Sequence, residues 1–228
     1  MSNFKFEWVE QYLKREPKVV FDVGTWDGAD AIALKQRWPR ADVYAFEACP
    51  DNYAAAFKSG GVKAAGVMLV HAAVGAEDRD VPFYSNTDTA LPKNPGMSGS
   101  TLFPSPALIA IAPNLTFLPP RMVRGIRLDT FCRMFGVGPI DILHMDVQGA
   151  EDYVMGGLGV LPRPAMVFME IDATQLYEDA VPVDLLRAHM REDRYTEVWT
   201  DEHDALFIYE PTRKPHGGDH QLPPPPVS

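Results

Sequence analysis

Cysteine is scarce. Cys49 and Cys132 are the only two in 228 residues, so at most one disulfide can form, and no CxxC pair offers a metal or redox site. Basic residues are outnumbered, with 21 Lys plus Arg against 31 Asp plus Glu and a formal net charge of −10. Such a surface repels phosphate, which argues against nucleic acid and anionic membranes as partners and leaves room only for a local basic pocket. Long apolar runs are missing as well. Stretches such as Ala107–Ala112 fall far short of the ~18 residues that a bilayer span needs. The opening MSNFKFEWVEQYLK lacks the apolar centre and cleavage site of a signal peptide. No internal repeat is found. These absences lead to the expectation of a soluble, cytoplasmic protein.

What is present is a globular composition, 46% hydrophobic and 23% charged, at a length that suits one domain. From Val19 onward, short apolar runs alternate with helical patterns, the signature of a parallel sheet flanked by helices. VVFDV (Val19–Val23) is nearly continuous and β-branched, so it reads as a strand buried on both faces. Further strands are expected at Asp42–Phe46, Val67–Ala73, Asp141–Met145 and Met166–Ile171, with a terminal antiparallel pair at Glu197–Thr200 and Ala205–Tyr209. VPFYS and RGIRL suggest two short extra strands. Asn86–Pro120 is rich in Pro, Gly and Ser, and so long a loop in a compact domain reads as a lid or binding loop. The expected organisation is an N-terminal helical extension over 1–18, one domain over 19–210 with an insertion at about 80–128, and a disordered tail over 211–228.

Chemistry concentrates at the ends of the expected strands. VVFDVGTWDG places Asp22, Gly24 and Gly28 in a glycine-containing turn between the first strand and its helix, where doubly wound folds bind ligands. FEACPDN ends the second strand on Glu47, 19 residues beyond Gly28, the place of an acid that accepts hydrogen bonds from ribose hydroxyls. The turn departs from G-x-G-x-x-G. Trp26 stands where a dinucleotide-binding turn has its second glycine, and Asp22 and Asp27 add negative charge, both unfavourable for a pyrophosphate. A cationic, phosphate-free nucleoside fits better, which points to S-adenosylmethionine over NAD. Further on, IDILHMDVQGAEDYVMGGL carries His144, Asp146, Gln148 and Glu151, and the fifth strand ends with Glu170 and Asp172. Period-two alternation sets His144 and Asp146 on one strand face. Glu151 suits a helix start, where the dipole favours an acid.

Taken in order and at this spacing, VVFDVGTWDG, FEACPDNY, HAAVG, SGSTLF, RLDTF and IDILHMDVQGAEDYVMGGL resemble the FkbM-type S-adenosylmethionine-dependent methyltransferases. The resemblance runs from about Val19 to Tyr209. It implies an α/β class I methyltransferase (Rossmann-like) fold: a doubly wound, seven-stranded sheet, mostly parallel, with its last strand antiparallel. It also implies transfer of a methyl group to a hydroxyl of a small molecule such as a sugar or other natural product. Carried over by position, Asp22, Gly24, Thr25 and Gly28 form the cofactor turn, and Glu47 with Ala48 takes the ribose. Ala73 and Val74 flank the adenine, Ser100 belongs to a serine-containing loop over Ser98–Thr101, and Asp146, Gln148 and Glu151 match the D-x-x-G-x-E block. The family commonly carries Lys where this chain has His144.

Asp146 and His144 are the candidate bases for the acceptor hydroxyl, Gln148 and Ser100 the orienting groups, and Glu170 an alternative base. No metal is expected, although Asp146, Glu170 and Asp172 have the chemistry to hold Mg²⁺. The rival readings are an NAD-dependent oxidoreductase and a methyltransferase-like binding module without catalysis.

Overall fold

The computed structural model describes residues 3–88, 101–103, 105–171, 177 and 180–212. A turn of π-helix at Val9–Leu13 leads into β1 (Val19–Val23), α1 (Ala29–Arg37), β2 (Asp42–Glu47), α2 (Pro50–Ser59), α3 (Gly61–Ala64), β3 (Met68–His71) and β4 (Ala73–Val74). β5 (Asp80–Phe83), β6 (Asn86–Asp88), α4 (Pro106–Ile111), β7 (Leu115–Phe117) and β8 (Arg121–Ile126) follow. The chain ends through α5 (Leu128–Phe135), β9 (Ile142–Met145), α6 (Glu151–Gly156), β10 (Met166–Glu170), α7 (Val183–Glu192), β11 (Tyr195–Thr200) and β12 (Asp204–Tyr209).

Seven strands form the main sheet in the order β11-β12-β10-β9-β1-β2-β3. β3, β2, β1, β9 and β10 run parallel, and β12 is antiparallel to both its neighbours. This is the expected doubly wound sheet with a reversed last strand. All five residues of β1 are buried, as its unbroken apolar run requires. Alternation then divides the core. Phe21, Leu143 and Val167 face Phe131 of α5, Val154 of α6 and Leu186 of α7. Val20, Ile142 and Phe168 face Ala31 and Leu34 of α1 and Trp8 of the N-terminal segment.

The stretch from Asp80 to Ile126 is more regular than its composition suggests. β5 and β8 pair antiparallel, as VPFYS and RGIRL indicate, and β8 also takes β4 in parallel. β6 pairs with β7, and Tyr84 bridges Thr101. Within the segment read as an irregular loop, α4 begins at Pro106, and the Ser105 hydroxyl accepts the Leu108 N–H at 2.9 Å. Serine and proline there are a cap and a first helical residue, not loop formers. The remainder of the expected lid, 89–100 and 104, lies outside the described residues, as do 213–228 of the expected tail.

Candidate active site

The strand order reverses between β1 and β9, and the carboxyl ends of β1, β2 and β9 open there into a pocket of about 690 Å³, mouth included. A crevice at the reversal point is where doubly wound sheets bind ligands.

The turn after β1 builds one wall. Gly24 and Thr25 both donate their N–H to the Phe46 carbonyl, at 2.9 and 3.0 Å, which ties the turn to β2. Gly24 has φ +83°, and a Cβ there would sit 1.9 Å from the Asp146 carbonyl oxygen, so only glycine lets the ends of β1 and β9 touch. Trp26 is left-handed at φ +52° and 44% exposed at the pocket wall. Its N–H donates to Glu47 Oε2 at 2.8 Å, while the Cys49 N–H donates to Oε1 at 2.7 Å. Glu47 is buried, and burial pushes its carboxyl up to about 7 against the opposing pull of those hydrogen bonds. Ala48, Ala73, Val74 and Phe83 supply apolar wall beside it.

The opposite end is polar. Gln148, also left-handed at φ +54°, donates from Nε2 to Asp146 Oδ1 at 2.6 Å and to Glu170 Oε2 at 2.5 Å. Its Oε1 accepts the Tyr177 hydroxyl at 2.5 Å, and its backbone carbonyl accepts the Thr101 hydroxyl at 2.9 Å. Burial first, and the neighbouring Asp146 second, push the Glu170 carboxyl above its ordinary value. Glu151 is buried behind them. It accepts the Gly149 N–H at 3.2 Å, and burial pushes its carboxyl up to about 7. Among the described residues no group of three His, Cys, Asp or Glu is arranged to hold a metal ion.

Of the residues singled out in the sequence, Gly24, Glu47, Ala48, Ala73, Val74, Asp146 and Gln148 line the pocket. Asp22, Thr25, Gly28 and His144 do not. Asp22 and Thr25 brace the turn from behind, and Gly28 caps α1, where a Cβ would sit 2.4 Å from Val62 Cγ2. His144 is buried against Asp22, with its Nδ1 2.7 Å from Asp22 Oδ1. Ser100 and Asp172 lie outside the described residues. Asn52 and Leu102 also line the pocket, and Tyr177 braces Gln148, without having been singled out. Asn52 sits within the FEACPDN motif; nothing local in the sequence marks Tyr177.

Residues 22–197 match the Methyltransferase FkbM domain. The chain belongs to the FkbM methyltransferase family. The 2-O-methyltransferase NoeI of Sinorhizobium fredii (strain NBRC 101917 / NGR234) is 31% identical over 173 residues, covering 75% of this chain and 70% of that one. Among solved structures, the O-methyltransferase from Bacillus cereus in complex with SAH is similar at 12% identity and a TM-score of 0.48, over 90% of this chain and 78% of that one. M. capricolum TrmK in complex with S-adenosyl-homocysteine gives 13% identity and a TM-score of 0.45, over 96% and 74%.

As an FkbM methyltransferase the protein uses S-adenosylmethionine, and the pocket fits that group. Glu47 offers a carboxylate for a pair of hydroxyls, Val74 and Phe83 offer apolar wall for a base, and Asp146 and its neighbours offer negative potential for a cation.

Proposed function

We propose that this FkbM methyltransferase methylates a hydroxyl on a small-molecule acceptor, with Asp146 as the general base. Bound S-adenosylmethionine supplies an electrophilic methyl group on a sulfonium sulfur. Asp146 accepts the hydroxyl proton as the new C–O bond forms, which keeps the attacking oxygen nucleophilic. Gln148 fixes the Asp146 carboxylate by its amide, and the Tyr177 hydroxyl fixes the amide by occupying its oxygen. Glu170 shares the Gln148 amide with Asp146, and its burial favours its neutral form.

The observation that carries this reading is the Asp146–Gln148–Glu170 network at the polar end of the pocket. The relative's description as a 2-O-methyltransferase supports oxygen as the acceptor atom. The net charge of −10 favours a small molecule over nucleic acid. Among the described residues no helix is long and apolar enough to cross a membrane.

The test is a radiolabelled-methyl screen of polyol and glycoside acceptors, with product mass spectrometry, on wild type and Asp146→Asn. The variant keeps the cofactor affinity and loses roughly 10²–10⁴-fold in saturated turnover, the usual contribution of a general base. An unchanged turnover with a raised cofactor constant makes Asp146 a cofactor clamp instead. Binding of NADH without binding of S-adenosylmethionine overturns the cofactor.

A further inference from the structure

One buried ionisable pair takes no part in that chemistry. Asp22 of β1 and His144 of β9 are register partners, only 1% and 3% exposed, and His144 Nδ1 lies 2.7 Å from Asp22 Oδ1. The other Asp22 oxygen accepts the Thr25 hydroxyl at 2.5 Å. Thr25 is the back of the cofactor turn, since Gly24 and Trp26 on either side of it line the pocket and it does not. Its other anchors are backbone ones: its N–H to Phe46 and its carbonyl to the Gly28 N–H at 2.8 Å. The Asp22 carboxylate is therefore the side-chain post to which the turn is tied. The same turn aims the Trp26 N–H at Glu47.

A carboxylate this deeply buried needs a partner, because an uncompensated charge in the interior is strongly destabilising. His144 is that partner, and it is itself sealed from solvent. Its ring stacks on Phe168 with centroids 5.4 Å apart and planes 7° from parallel. Phe4 of the N-terminal segment meets it edge-on at 6.1 Å. His144 thus joins β9, which carries Asp146 just past its end, to the turn that receives the cofactor.

We propose that His144 is a positioning residue for the cofactor: through Asp22 and Thr25 it holds the Gly24–Trp26 turn in its ligand-receiving shape, and it exchanges no proton with the acceptor. The proposal rests on the cofactor pocket described above and is independent of which group acts as base.

The test measures S-adenosylhomocysteine affinity by calorimetry, and amide exchange over residues 24–28 in the ligand-free protein, for His144→Gln, His144→Lys and Thr25→Val. His144→Gln weakens the ligand roughly 5- to 100-fold, the loss expected for one charge-assisted hydrogen bond, and speeds exchange in the turn. Its turnover at saturating cofactor stays within about threefold of wild type, the signature of lost ground-state positioning. His144→Lys, which returns a cation to Asp22, recovers affinity and protection. Thr25→Val leaves the buried pair in place and so keeps the test valid if His144→Gln does not fold; it too weakens the ligand, and the double variant loses less than the sum. Wild-type affinity and exchange in Thr25→Val overturn the proposal. So does a His144→Gln enzyme with normal affinity and strongly reduced saturated turnover, which would restore His144 as the base. Failure of the wild-type protein to bind the ligand would count against the cofactor reading, while exchange in the ligand-free turn still tests His144.

Discussion

Glu47 and Glu151 are carboxyls that folding carries into places where a negative charge is costly, and burial pushes each to about 7. The folded state then binds protons that the unfolded chain has released between the ordinary carboxylate value of 4.5 and about 7. Their stabilising effect is therefore complete below the ordinary value and is lost as pH rises through 7. Asp141 and Asp129 are shifted the other way and lose their contributions only in acid. The gap in unfolding free energy between wild type and Glu47→Gln should thus shrink or reverse from pH 5 to pH 8, by on the order of 2–3 kcal/mol. Parallel denaturation curves across pH check it; a constant gap removes the assignment. On the proposed placement of the cofactor, a hydroxyl pair on the ligand would give Glu47 the donors that favour its ionised form. Glu47 was legible in the sequence because strand-end acids sit at a fixed distance from the first turn. The placement of His144 was not, because alternation assigns a residue to a face of its strand and says nothing of which residue reaches the pocket at the strand's end.

At the scale of elements, the site depends on two strand ends meeting through one glycine. Gly24→Ala meets a double obstacle: a left-handed φ, worth about 1–3 kcal/mol of strain in a side-chain-bearing residue, and a Cβ against the Asp146 carbonyl. Backbone cannot yield as a flexible side chain does. The variant should melt lower and bind S-adenosylhomocysteine more weakly, since the displaced groups are pocket wall; unchanged melting and affinity would refute the close approach. The main strands were readable because β-branched runs such as Val19–Val23 leave no other economical conformation. The segment around α4 was not, because Ser105 and Pro106 have the same composition whether they punctuate a loop or begin a helix. The hydrogen bonds that Leu108 and Ile109 donate to Ser105 distinguish the two.

For the molecule as a whole, the formal charge of −10 acts on a ligand before any contact forms. S-adenosylmethionine carries one more positive charge than its demethylated product. Raising salt from about 0.01 to 0.15 M shortens the screening length from about 30 to about 8 Å. Affinity for the substrate form should fall across that range more than affinity for the product form. Equal salt slopes for the two ligands would show that the long-range field plays no part.

The strand order also bears on how the chain is made. Among the described residues β12 is the last strand along the chain, yet it lies between β10 and β11, and β11 pairs with β12 alone. Until Asp204–Tyr209 leaves the ribosome, the edge of β10 and its apolar residues Met166–Met169 have nothing to pair with. A chain growing from its N-terminus thus carries an open, sticky edge through the making of α7 and β11. Closure of the sheet then becomes one late event, in which the final strand slides between two waiting neighbours, and a ribosome stalled a few codons earlier releases a protein primed to aggregate.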